Sequence, residues 1–98
     1  MSLFAFFLRS YYLDTVYYED KKLNLALYQG LDERDCQILK SIQQGIKYFA
    51  IAKDLNISLG HLKNRLHFIF QTLQCGDKQG FMSFFDDYDI FYEPVKNH

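Results

Sequence analysis

The sequence has no tryptophan, one proline (Pro94), five glycines and two cysteines. A single late proline leaves the chain before it free to form unbroken helices, because proline removes a backbone donor and clashes inside a helix. Cys36 and Cys75 stand far apart and form no CxxC pair, and His61, His67 and His98 fall at no ligand-like spacing to them. That argues against a metal site and for free thiols in a reducing cytosol. No long apolar run is present: the stretch from Leu3 to Leu8 ends at Arg9, far short of the ~20 residues that span a bilayer. A cytoplasmic protein with no secretory leader and no membrane partner is expected. There is no Gly-rich phosphate loop and no Ser-His-Asp or Cys-His grouping, so the chain is read as a non-enzyme without a cofactor. Asp86, Asp87 and Asp89 lack the glycine and terminal glutamate of an EF-hand loop and read as a solvated acidic tail.

Nor is there an excess of positive charge: 11 Lys and Arg stand against 12 Asp and Glu, for a net charge of −1. A nucleic-acid binder is usually basic, but the charge is unevenly spread. From Leu31 to Phe84, seven cations face five anions, a net +2, while the stretch after Phe84 nets −3. What the chain does have is aromatic surface, with ten Phe and eight Tyr in 98 residues. This length makes one domain, and so much aromatic area exceeds what one small core absorbs, so part of it is expected to face a partner.

Along the chain, Phe4, Phe7, Leu8, Tyr11, Tyr12 and Val16 roughly follow helical spacing, which predicts a front helix to about Leu13 or beyond. From Val16 to Leu27 two readings stand. The favoured one is a continued helix with Leu23 and Leu27 on one face; the other is a hairpin turning at Glu19–Lys22. Asp32 predicts an N-cap, with Asp35 at the reciprocal capping position, for a helix to Gln44 that ends at Gly45. A short helix follows over about Tyr48–Leu55, with Asn56 suited to a left-handed turn. Ser58 caps a helix to about Leu73, and Asp77 caps a fourth through Phe81 and Phe84.

The third of these helices is the most informative. Leu62, Leu66, Ile69 and Leu73 share one face and predict its core side. The opposite face presents Gly60, Asn64, His67 and Gln71, flanked by Lys63 and Arg65, without a carboxylate. Hydrogen-bonding groups beside cations suit a helix laid in the major groove. With the preceding short helix and the Asn56-Ile57-Ser58 turn, this has the form of a helix-turn-helix.

From Leu31, LDERDCQILKSIQQG, then IAKDLNIS, LGHLKNRL and QCGDKQGF resemble, collinearly and without gaps, the DNA-binding domain of LuxR/GerE-type transcriptional regulators. A sigma-factor region-four domain shares the first three helices, but the Cys75–Lys78 passage favours the LuxR/GerE type. The resemblance implies a four-helix unit at 31–85; with the aromatic-rich helical extension at 1–30 and the acidic tail at 86–98 read from the residues themselves, an all-α fold is expected. It implies sequence-specific double-stranded DNA as partner. It places Lys63 and Asn64 at groove- and backbone-contacting positions, His61 where the family often has Thr, Arg65 where it often has His, and Lys78 at the start of the fourth helix. The full candidate DNA-contacting set is Lys47, Tyr48, Ser58, Leu59, Gly60, His61, Lys63, Asn64, Arg65, His67 and Lys78.

Two departures stand out. Lys47 occupies the usual Ser or Thr cap of the second helix, where it cannot accept a hydrogen bond. Late in the recognition helix, Phe68, Gln71 and Thr72 replace common basic residues, and each lost phosphate contact removes about 0.9 from the salt slope of binding. The fourth helix commonly mediates dimerisation in the family. Together with the aromatic surplus, this predicts a homodimer through Phe4, Phe7, Tyr11, Phe81, Met82, Phe84 and Phe85. The competing function is a protein-interaction module on the same scaffold that binds RNA polymerase or another regulator.

Overall fold

A computed structural model describes residues 21–94. The expected front helix, and with it Phe4, Phe7 and Tyr11, lies outside these residues. Strand β1 (Lys22–Asn24) leads through a 3-10 turn (Leu25–Leu27) into α1 (Glu33–Gln43), α2 (Tyr48–Asp54), α3 (Leu59–Thr72), α4 (Lys78–Phe85) and strand β2 (Asp89–Phe91).

The helices begin and end where local chemistry dictates. Asp32 and Asp35 form a reciprocal capping box at α1, each side chain accepting from the other's backbone N–H at 3.0 and 2.9 Å. Gly45 follows α1 with φ +81°, a conformation that glycine adopts without a Cβ penalty. Asn56 takes φ +57° after α2. Ser58 Oγ accepts from the His61 N–H at 3.0 Å to start α3, and Asp77 accepts from the Gly80 N–H at 2.8 Å to start α4. At α2, Lys47 supplies no side-chain cap, as its chemistry requires.

The expectation of an all-α fold is corrected. The fold is mixed, mostly helical with a two-stranded parallel sheet. β1 and β2 pair in the register Lys22↔Asp89, Leu23↔Ile90 and Asn24↔Phe91. Each three-residue strand buries one apolar side chain, Leu23 or Ile90, against the helices. Asn24 strengthens the join by donating from Nδ2 to the Glu93 carbonyl and accepting from the Glu93 N–H, both at 2.9 Å. Lys21 and Asp87 add an ion pair beside it. A parallel pair needs a long crossover, and here the whole helical unit is that crossover. The favoured helix through Leu23 and Leu27 is likewise corrected: Leu27 is 68% exposed, so no apolar helical face runs there.

The core holds Leu31, Ile38, Leu39, Ile42, Ile51, Leu62, Leu66, Ile69 and Leu73, together with Leu25, Phe70, Phe81 and Ile90. Phe81 is fully buried, with its ring 5.8 Å from both Phe70 and Phe85. Its expected place at a dimer interface is therefore corrected: α4 turns Phe81 inward and leaves Phe84 outside, 64% exposed. Gln43 fixes the far end of α4 by donating to the Phe85 and Tyr88 carbonyls at 2.7 and 2.9 Å.

Candidate nucleic-acid interface

α2 and α3 are joined by the turn at Asn56, where the Ile57 N–H donates back to the Ala52 carbonyl at 3.0 Å. With Leu62, Leu66, Ile69 and Phe70 buried, α3 turns its other side outward. Gly60, His61, Lys63, Asn64 and His67 are all exposed there. The side chains of His61, Lys63, Asn64 and His67 make no hydrogen bond or ion pair among the described residues, and α3 contains no carboxylate. A Cβ added at Gly60 would meet nothing within 4 Å, so this side of the first turn is open to a close approach. Leu59 is 39% exposed beside it, and Ser58 is engaged as the cap.

The remaining candidates separate into two groups. Tyr48 and Lys78 join Lys63 and His67, already placed on the outward side, around one depression between the start of α2, α3 and the start of α4. In it, Lys78 Nζ lies 5.3 Å from the centre of the Tyr48 ring. Burial raises the Tyr48 phenol above its ordinary value, with a smaller contribution from Asp77. Lys47 is exposed at the start of α2. These residues extend the cationic flank of α3 towards α4.

Arg65 sits differently from a free phosphate-seeking cation. Its Nε donates to Asp35 Oδ1 at 2.7 Å, and its terminal nitrogen bonds Asp35 Oδ2 and the Gly30 carbonyl, the latter at 2.7 Å. Asp32 stands 4.0 Å away. The hydrogen bond to Asp35, more than the charge, raises the guanidinium above its ordinary value. Arg65 therefore ties α3 to the capped end of α1. The sequence shows the charge at this position but not its partner thirty residues earlier. Phe68, absent from the expected contact set, borders the same depression as Ser58, Gly60, His61, Asn64 and Arg65. Its replacement of a customary basic residue was the available signal.

Of the expected dimer residues on α4, Met82 and Phe85 are half-buried and Phe84 is exposed. Among the described residues, no three His, Cys, Asp or Glu side chains gather as metal ligands. No helix among them is long and apolar enough to cross a membrane. Comparison of the chain with protein-family models, with curated proteins and with solved structures gives no match.

Proposed function

We propose that this protein is a non-enzymatic, cytoplasmic regulator of transcription that binds duplex DNA sequence-specifically by laying α3 in the major groove. The observation that carries this reading is the outward side of α3. Gly60, His61, Lys63, Asn64 and His67 are exposed there, on a helix free of carboxylates, and the four side chains beyond glycine have no hydrogen-bond or ion-pair partner among the described residues. Asparagine and histidine can bond base edges, while lysine neutralises phosphate. The LuxR/GerE resemblance supports the same helix. Because few cations face outward, binding by one copy is weak, and a twofold dimer that doubles the contacts suits a pair of half-sites about one DNA turn apart, ~34 Å. The test is duplex binding by fluorescence anisotropy across a salt series. Lys63→Ala should weaken binding and flatten the salt slope by about 0.9 if Lys63 meets one phosphate. An unchanged slope with unchanged affinity removes α3 from the interface.

A second reading has its own support. Phe49 and Phe84 are exposed at 65% and 64% on a chain of net charge −1, which suits a module that docks on RNA polymerase or another regulator. Failure to bind duplex DNA or heparin at low salt selects that reading.

A further inference from the structure

On α3, Leu59 and Phe68 are the exposed large apolar side chains among the described residues. Phe68 stands on the outward side: at 3.6 residues per turn it lies about 40° around the axis from Asn64 and ~6 Å further along. Its ring is held in place. One contact is the Arg65 guanidinium, 5.0 Å from the ring centre and itself fixed by Asp35 and the Gly30 carbonyl. Another is Gly30, where an added Cβ would come within 2.9 Å of the ring tip. The ring still keeps 42% of its surface exposed and borders the depression shared with Gly60, His61 and Asn64. A lone exposed phenylalanine needs no explanation. One that is pinned by neighbours and left open beside an asparagine with no partner among the described residues is preorganised for a contact.

We propose that Phe68 packs against a thymine C5-methyl group while Asn64 bonds an adenine nearby, so that the preferred DNA sites carry A·T pairs at both positions. This rests on the major-groove reading of α3 and names what that face selects. The thymine methyl is the apolar group among the natural major-groove base edges, and phenylalanine is a side chain suited to touch it. Asparagine in turn can grip adenine through N6 and N7. The ~6 Å between the two side chains along α3 spans one to two base pairs of ~3.4 Å each. Phe68 has no donor or charge for phosphate, so its place on this face serves base reading rather than backbone attraction.

The test begins with selection of bound duplexes from a randomised pool. Each thymine of the selected site is then replaced in turn by deoxyuridine, which removes only the C5-methyl. The unaltered protein should lose about four-fold in affinity at one such thymine, the worth of one buried methyl group. Phe68→Ala, checked for folding by circular dichroism, should bind the thymine and uracil duplexes alike, and Phe68→Leu should retain part of the discrimination. Indifference of the unaltered protein to uracil at every position, or full discrimination by Phe68→Ala, overturns the contact while leaving DNA binding intact. Retention on no duplex at all is a separate result that removes the DNA reading and this contact with it.

Discussion

Arg65 and Asp35 form an ion pair between unequally buried partners: the Asp35 side chain is 1% exposed and that of Arg65 is 30% exposed. Either member can be removed, but what remains differs. Without Arg65, Asp35 is left as a buried carboxylate supported by the Asp32 N–H. Without the Asp35 charge, Arg65 can turn its guanidinium to water. Arg65→Met is therefore expected to cost about 3 kcal/mol or more, as for other broken buried pairs. Asp35→Asn keeps the shape and part of the hydrogen bonding, and should cost roughly 1–2 kcal/mol. Urea denaturation checks the order, and a costlier Asp35→Asn would show that burial does not set it.

Phe81 and Phe84 lie on one short helix with opposite roles. Phe81→Ala empties a fully buried position and should lower stability by about 3–5 kcal/mol. Phe84 is exposed, so Phe84→Ser should leave the monomer fold intact and weaken the proposed dimer. In light scattering at micromolar concentration, the unaltered chain should show twice its 11.7 kDa mass and Phe84→Ser a value closer to the monomer. A monomeric unaltered chain removes the dimer.

The features legible in the sequence are those whose cause lies within one turn of chain. Asp32, Ser58 and Asp77 are caps because each reaches a backbone N–H three residues on. Gly45 and Asn56 mark turns because their own backbones go left-handed. The outward face of α3 was legible because its apolar residues repeat at helical spacing. The β1–β2 pair was not. Each strand offers one buried side chain, too little for a period-two signal, and its partner lies at the other end of the described chain. Separation in sequence also hid the bond between Arg65 and Asp35, which lie thirty residues apart. A cation beside a groove-facing asparagine reads as a phosphate contact until its carboxylate partner is known. The direction of Phe81 was hidden for another reason, since α4 is so rich in Phe that composition alone does not choose the buried ring.

Burial pushes both thiols above their ordinary value, opposed at Cys36 by Lys40. A thiol that holds its proton in the fold and releases it in the unfolded chain favours unfolding once the pH passes the ordinary thiol value of about 8.5. Stability should accordingly fall as pH rises above that value, and Tyr48, also raised by burial, should extend the loss further into alkali. Thermal melts at pH 7 and in the alkaline range check this, with Cys36→Val expected to flatten the first part of the decline. Cys36, 6% exposed, should react with a thiol reagent at neutral pH only as fast as the chain opens.

Gly60 and Gly30 allow folding and binding to be separated. Gly60 lies in the first turn of α3 with an ordinary helical backbone, and an added Cβ has open space around it. Alanine there restricts the unfolded chain without straining the fold, so Gly60→Ala should stabilise the protein by about 0.4–1 kcal/mol. If DNA approaches the first turn of α3 closely, the same methyl group stands in its way, and duplex affinity should drop several-fold despite the gain in stability. Gly30 is the converse. Its φ of +91° disfavours any side chain, and a Cβ would press on Phe68 at 2.9 Å. Gly30→Ala should destabilise by roughly 1 kcal/mol or more and disturb the ring that Gly30 and Arg65 hold in place. Urea denaturation and anisotropy on the same preparations read both effects. A Gly60→Ala chain that is more stable and undiminished in duplex affinity would place nucleic acid somewhere other than the N-terminal turn of α3.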